Sequence, residues 1–123
     1  NLFISAPALS QIAAVAAFDC EDELQANIAA YARNREILLD GLPKAGFTKF
    51  APADGAFYLY ADVRELTNDS EAFCKRMLDE TGVATTPGTD FDRMRGKGYV
   101  RFSFAHSEAT MIGAVKALQS WKR

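Results

Sequence analysis

Arg101 is the side chain of this sequence best suited to bind a charged ligand. It lies in the segment Tyr99–Ala105, where apolar and polar residues alternate as in a half-buried β-strand. Because successive side chains of a strand point to opposite faces, Val100 and Phe102 face a core while Arg101 faces away from it. A guanidinium held on that face presents a planar fork of donors that can bind a carboxylate through two hydrogen bonds.

The alternation alone leaves other interpretations of Arg101 open. The run Ala56–Val63 alternates in the same way, and if its apolar face enters the same core, Tyr58 and Tyr60 share the face of Arg101. An arginine on such a face is either a solvated side chain or the ion-pair partner of a nearby carboxylate such as Asp62. The spacing does not decide between these roles and ligand binding.

The remaining residue types offer little catalytic chemistry. His106 is the only histidine and sits at a predicted helix start, where a solvated side chain is expected, so no Ser-His-Asp or Cys-His arrangement can be assembled convincingly. Cys20 and Cys74 lack C-x-x-C spacing and are expected to be buried thiols, and no metal site is expected. The glycines match neither a dinucleotide fingerprint nor a phosphate loop. All lysines fall at surface-like or loop positions, which argues against a desolvated amine for Schiff-base chemistry.

The composition is that of an ordinary folded domain. Apolar residues make up 49% of the 123 residues and charged residues 24%, which suits one compact unit. The formal net charge is −2 and the basic side chains are scattered, which argues against a nucleic-acid partner. No apolar run approaches the roughly 20 residues that cross a bilayer, and the start does not have the pattern of a signal peptide. We therefore expect a soluble, cytoplasmic protein with no membrane partner.

Two helices are predicted in the first third of the chain. The segment 8–18 follows Pro7 and is apolar on nearly every side, which is excessive for a chain of this size. The second helix, Asp22–Leu42, is amphipathic and has acidic residues in its first turn. The chain also begins without an initiator methionine. We therefore expect a piece of a longer protein, whose first helix packs against another domain or subunit.

Two further helices and three strands complete the prediction. One helix begins after a cap at Asn68 or Asp69 and ends at Gly82, and the other begins after a cap at Ser107. The strands are predicted over Ala56–Val63, Val83–Thr86 and Tyr99–Ala105. This order predicts an α+β fold, also describable as a two-layer α/β lobe. Its small, mostly antiparallel sheet of about three to four strands is covered by helices and preceded by a long connecting helix.

Three motifs follow one another along the chain. They are Pro52-x-x-Gly55-Ala56-Phe57-Tyr58, Val83-Ala84-x-Thr86-Pro87-Gly88-x-x-Phe91 and Tyr99-Val100-Arg101-x-Ser103-Phe104-Ala105. Their order resembles the end of class I aminotransferases of pyridoxal-phosphate fold type I. The likeness also includes the NLFISAP start and the alanine-rich segment after Gln11, so it covers essentially the whole chain.

The resemblance implies roles for individual residues. In that family the arginine of the R-x-S-F/Y-A strand binds the α-carboxylate of the amino-acid substrate, and the matching residue is Arg101. The other two motifs lie near the mouth of the family's active site. Gly55, Phe57, Pro87 and Gly88 are therefore expected to shape the pocket, although simple turn and core roles remain open for these four.

The resemblance also implies a domain division and an activity. Residues 1–20 would belong to the large-domain side, and residues 21–123 would form the small domain. The parent enzyme would transfer an amino group between an amino acid and a 2-oxo acid by means of pyridoxal 5'-phosphate, whose lysine and other ligands lie in an upstream domain. The chain alone is expected to be inactive and to bind no cofactor. The parent is expected to be a homodimer, and the isolated chain to self-associate through residues 8–18.

Two alternative functions remain open at this point. The chain could be a stand-alone, non-enzymatic module that binds or dimerises through the apolar segment 8–18. The parent could also be a pyridoxal-phosphate lyase or decarboxylase, because several reaction types share the same carboxylate contact. The sequence does not indicate which amino acid is the substrate.

Overall fold

A computed structural model of the chain describes residues 5–123, so the first four residues of the predicted extended start lie outside it. The elements in chain order are α1 (Ala8–Ala17), α2 (Glu21–Lys44), β1 (Tyr58–Asp62), α3 (Ser70–Thr81), β2 (Thr86–Pro87), β3 (Tyr99–Ser103) and α4 (Glu108–Gln119). Short 3-10 turns occupy Gly88–Asp90 and Gly96–Gly98. The chain divides into two compact units, one ending at Ala30 and the other spanning Tyr31–Arg123. The predicted boundary at residue 20 remains a prediction.

The second unit contains a three-stranded antiparallel sheet in the order β1-β3-β2. The predicted α+β class with a small antiparallel sheet is therefore confirmed. β3 is the central strand, and Arg101 lies opposite Tyr60 of β1 and Thr86 of β2. The predicted order of the strands along the chain is also correct.

All three strands are shorter than predicted. β1 starts at Tyr58 because Ala56 has a φ of 57°, a left-handed conformation that cannot continue a strand. Phe57 is consequently 44% exposed and does not enter the core, contrary to the predicted alternation. β3 ends at Ser103, whose Oγ accepts a hydrogen bond from the amide of Ala105 at 3.3 Å.

The core lies on one face of the sheet, against the helices of the second unit. The inner face carries the alternate residues Leu59 and Ala61 of β1 and Val100 and Phe102 of β3, all nearly inaccessible to solvent. The helices cover them with Leu38 and Leu42 (α2), Phe73 and Met77 (α3), and Met111, Val115 and Leu118 (α4). The period-two pattern of the strands thus places Arg101 on the opposite face, as predicted.

The helix ends follow local capping chemistry. Oδ1 of Asp69 accepts from the amide of Ala72 at 3.1 Å, so Asp69 rather than Asn68 caps α3. Gly82 ends the same helix with a φ of 73°. Oγ of Ser107 accepts from the amide of Thr110 at 3.2 Å and caps α4. The predictions that Gly82 ends α3 and that Ser107 caps α4 are therefore correct.

Several local predictions differ from the structure. α2 continues past Leu42 through Pro43 to Lys44, and the carbonyls of Leu42 and Pro43 accept hydrogen bonds from the turn that follows. Cys74 is buried as expected, but Cys20 is exposed and lies between α1 and α2 rather than inside a helix. In the described residues 5–123 no helix is both long and apolar enough to cross a bilayer.

The buried amide of Asn34 joins α2 to the end of β3. Its Nδ2 donates to the carbonyl of Phe104 at 2.9 Å and to that of His106 at 2.6 Å. Neither carbonyl belongs to a strand pair, so the amide satisfies backbone groups that lie just beyond the sheet. The side chain is almost completely buried, which makes these bonds costly to lose.

Replacing Asn34 with alanine should lower the free energy of unfolding by about 1–3 kcal/mol, because it leaves the carbonyl of the buried Phe104 without this donor. Urea denaturation monitored by circular dichroism measures this loss. Asn27→Ala, an exposed position on the same helix, serves as the control and should change stability by no more than about 0.5 kcal/mol. Equal stability of the Asn34 and Asn27 variants would contradict the structural role of the buried amide.

Candidate functional site

The candidate site is centred on the guanidinium of Arg101, in the middle of β3. The side chain is half-buried. Nη2 donates to Oγ1 of Thr86 at 3.3 Å, and Cζ lies 4.7 Å from the ring centroid of Phe91 and 5.4 Å from that of Tyr58. Two strands and one loop therefore surround the guanidinium with a hydroxyl and two aromatic rings.

This guanidinium has unused hydrogen-bonding capacity. Nε is buried and has no hydrogen-bond partner in the described part of the chain. No Asp or Glu of residues 5–123 forms an ion pair with Arg101. A cation partly removed from water and lacking an anionic partner favours a ligand that supplies the anion. A carboxylate matches the geometry of its donors.

Asp62 forms an ion pair with Arg64 and not with Arg101. The interpretation of Arg101 as the ion-pair partner of Asp62 is therefore wrong. Nη2 of Arg64 lies 2.5 Å from Oδ2 of Asp62, and Nε lies 2.9 Å from Oδ1. The backbone amide of Arg64 also donates to Oδ1, at 3.1 Å. These hydrogen bonds lower the pKa of Asp62 to about 2.

The loop between β2 and β3 is fixed by a contact between Gly88 and Gly96. A Cβ added at Gly96 would lie 2.3 Å from the carbonyl carbon and oxygen of Gly88, a distance that backbone atoms do not tolerate. Oγ of the buried Ser70 donates to the carbonyl of Gly96 at 2.9 Å. Oγ1 of Thr89 donates to the carboxylate of Glu71 at 2.8 Å, so the start of α3 holds the loop at two points.

Two tyrosines form a stack beside this loop. The rings of Tyr60 and Tyr99 are nearly parallel, 5° apart in plane and 5.0 Å apart in centroid. A Cβ at Gly88 would lie 2.7 Å from the hydroxyl of Tyr60, so the glycine also lets the loop approach the stack. Burial raises the pKa of Tyr60, and the charge of Asp92 adds to the effect.

The four residues expected to shape a pocket occupy different positions. Pro87 pairs with Val100 in the sheet, and Gly88 is buried in the loop, so both lie next to the surroundings of Arg101. Phe57 precedes β1 and contacts Tyr58 edge to face at 5.8 Å. A Cβ at Gly55 would meet no atom within 4 Å, so the structure gives no steric reason for glycine there.

Thr86 and Phe91 were not predicted as site residues, although both contact Arg101. Both belong to the motif that also contains Pro87 and Gly88. The signal was therefore present in the sequence, but only the pairing of β2 with β3 shows that these side chains reach the guanidinium.

The lysines of the chain are all solvated side chains. All six, at 44, 49, 75, 97, 116 and 122, are exposed. Three of them form ion pairs, Lys44 with Asp40, Lys49 with Glu65 and Lys75 with Asp79. An amine that forms a Schiff base is typically desolvated, and none of these lysines meets that condition.

A cavity of about 570 Å³ lies away from Arg101, between the end of β3 and the helices α2 and α4. Its lining is mainly apolar and includes Leu42, Phe102, Met111 and Leu118. Neither Arg101 nor the aromatic rings around it line this cavity. It is therefore separate from the candidate site.

The profile of the family "aminotransferase class I and II" matches residues 1–118. The chain is 51% identical to the valine–pyruvate aminotransferase of Mycobacterium tuberculosis, over 98% of this chain and 32% of that protein. It is 39% identical to the (5-formylfuran-3-yl)methyl phosphate transaminase of Methanocaldococcus jannaschii, over 87% of this chain and 28% of that protein.

The same likeness appears at the level of structure. The crystal structure of an aminotransferase from Mycobacterium tuberculosis superposes with a TM-score of 0.89 and 50% identity, over 97% of this chain and 31% of that one. The chain therefore spans about a third of the length of the relatives it matches.

The Asp62–Arg64 pair predicts a pH effect on stability. The folded state lowers the pKa of Asp62 from 3.8 to about 2, so the pair stabilises the fold above pH 3.8 and this contribution is lost as the pH falls toward 2. Arg64→Ala should raise the pKa of Asp62 toward 3.8, as measured by carboxyl NMR titration. Arg95→Ala, which removes the partner of Asp92, is the control. An unchanged pKa of Asp62 in the Arg64 variant would contradict the assignment.

Proposed function

The chain belongs to the class I and II aminotransferase family, and we propose that within its parent enzyme it binds the carboxylate of the substrate. The parent transfers an amino group between an amino acid and a 2-oxo acid. The observation that carries this proposal is Arg101, a half-buried guanidinium on the central strand that no Asp or Glu of residues 5–123 pairs with. An amino acid and a 2-oxo acid both carry a carboxylate next to the reacting carbon, so one arginine can serve both.

The role of Arg101 is to position the substrate rather than to move protons. A bidentate contact fixes both the distance and the orientation of the carboxylate, and therefore also the direction of the adjacent carbon. The hydroxyl of Thr86 and the rings of Tyr58 and Phe91 limit the directions from which a ligand can approach. We propose that Pro87, which pairs with β3, and Phe57, which contacts Tyr58, border the space that the carboxylate enters, together with Gly88.

The proposed substrate class is based on the relative with 51% identity, which is named for valine and pyruvate. We propose that the parent enzyme uses a small aliphatic amino acid such as valine as amino donor and pyruvate as acceptor. The described surroundings of Arg101 contain aromatic and hydroxyl groups and no second cation in contact with it. This setting suits a substrate with one carboxylate.

Pyridoxal 5'-phosphate is the cofactor that the family implies for the parent enzyme, and we propose that it is bound outside the described residues. When bound, it supplies the electron sink for chemistry at the substrate's α-carbon. Because the chain has no desolvated lysine, the isolated chain should neither bind the cofactor covalently nor transfer an amino group.

The first helix is the proposed contact with another part of the parent or with a second subunit. α1 exposes the large apolar side chains Leu9, Ile12 and Val15, and Phe18 follows at its end. Apolar patches of this kind are typical of interaction sites. We therefore propose that the parent is a dimer and that the isolated chain associates through this helix.

Arg101→Ala in the parent enzyme should lower kcat/KM for the amino-acid substrate roughly ten- to hundredfold, because a charge-assisted bidentate contact contributes about 1.5–3 kcal/mol. Steady-state kinetics with valine and pyruvate measure this change. Arg93→Ala, which removes an exposed arginine from the neighbouring loop, is the matched control and should behave as the unmodified enzyme. A kcat/KM near that of the unmodified enzyme in the Arg101 variant would overturn the proposed role.

The isolated chain should self-associate in sedimentation velocity experiments as its concentration rises, because burial of apolar side chains of α1 is favourable. Ile12→Glu should shift the distribution toward the monomer, since it places a charge on the apolar surface. Ser10→Glu, at a polar position of the same helix, is the control. A monomer at high concentration would contradict the proposal.

A further inference from the structure

Phe91 is the aromatic side chain nearest to the guanidinium of Arg101. We propose that it is a positioning residue, whose ring holds the guanidinium in the orientation that receives the substrate carboxylate. This inference rests on the proposed carboxylate-binding role of Arg101 and deepens it.

The contact between the two side chains is of the cation–π type. Cζ of Arg101 lies over the ring of Phe91 at 4.7 Å from its centroid, closer than to Tyr58 at 5.4 Å. Such a contact uses the flat face of the guanidinium and leaves the N–H donors at its edge available. The ring can therefore hold the cation without competing with a carboxylate for its hydrogen bonds.

Thr86 provides a second, independent restraint. Its Oγ1 accepts from Nη2 of Arg101 at 3.3 Å, while the ring of Phe91 contacts the centre of the group. A long arginine side chain loses considerable conformational freedom when it is ordered. If two contacts order the guanidinium before a ligand arrives, less of that entropy is lost during binding and the affinity rises.

The location of Phe91 is not explained by the core. Its side chain is 55% exposed, on a loop between two strands. A large apolar side chain that remains so accessible contributes little burial to folding. Its contact with Arg101 gives a physical reason for an aromatic residue at this position.

The loop that carries Phe91 is itself held in place. The amide of Phe91 donates to the carbonyl of Gly88 at 3.0 Å, and Gly88 packs directly against Gly96. The hydrogen bonds from Ser70 and to Glu71 anchor the same loop to α3. The ring is therefore attached to a fixed backbone, which a positioning residue requires.

The test uses the full-length enzyme and two readouts, steady-state kinetics with valine and the Kd of pyruvate from isothermal titration calorimetry. Phe91→Leu should raise both KM and Kd about two- to thirtyfold, the range expected for the loss of a cation–π contact. The value of kcat should change little, because the carboxylate is held equally in ground and transition states. Phe91→Tyr keeps an aromatic face and should retain near-original values. Met94→Leu, a highly exposed position on the same loop, should have no effect.

A double-mutant cycle with Arg101→Met shows whether Phe91→Leu weakens pyruvate binding through Arg101 or through loss of a direct contact with the substrate. If Phe91 acts through Arg101, Phe91→Leu should have no further effect on the Kd of pyruvate once the guanidinium is absent. An equal loss in both backgrounds would show that the ring contacts the substrate directly, and would overturn the inference. So would unchanged constants in Phe91→Leu, or equal losses in the leucine and tyrosine variants. In each of these cases, weaker pyruvate binding by Arg101→Met would leave the proposed function intact. Unchanged pyruvate binding by Arg101→Met would overturn both the proposed function and the inference on Phe91.

Discussion

The pairing of β3 along both of its edges is the constraint on which the candidate site depends. The strand lies between β1 and β2, so its backbone cannot shift without breaking hydrogen bonds on two sides. The alternation of side chains then separates two environments: Val100 and Phe102 enter the core, and Arg101 occupies the opposite face. The core therefore holds the arginine indirectly, because every side chain buried on one face fixes the direction of its neighbours on the other.

Just outside the sheet, two polar side chains fix the backbone where it has no regular secondary structure. Asn34 satisfies carbonyls just past the end of β3, and Ser70 satisfies the carbonyl of Gly96 in the loop before it. Both side chains are almost completely buried. Each replaces the hydrogen bonds that regular secondary structure would otherwise supply, at the two places where the backbone leaves the sheet.

Much of the fold could be predicted from the sequence, because the deciding interactions are local. The caps at Asp69 and Ser107 and the end at Gly82 involve residues within a single helical turn. The face of Arg101 followed from strand alternation alone. The start of β1 was predicted two residues too early, since nothing in the residue type of Ala56 indicates its left-handed conformation, and Phe57 therefore lies outside the strand.

Contacts that join distant segments were less predictable, both in the rest of the fold and in the candidate site. Asn34 binds a carbonyl 70 residues away, and no local pattern indicates such a bond. The contact of Thr86 with Arg101 depends on the register of β2 against β3. The resemblance to a family identified Arg101 and the motif around Pro87, but it did not indicate which side chains reach the guanidinium.

The hydrogen bond from Asn34 to Phe104 joins residues far apart in the sequence, and this affects how the chain folds. The helices can form from local contacts. Asn34 and the carbonyl that it binds, by contrast, must be brought together at the entropic cost of closing a long loop of chain. The bond from Asn34 thus adds a contact of long sequence separation at the end of the central strand, and contacts of this kind slow the folding of a domain as a whole.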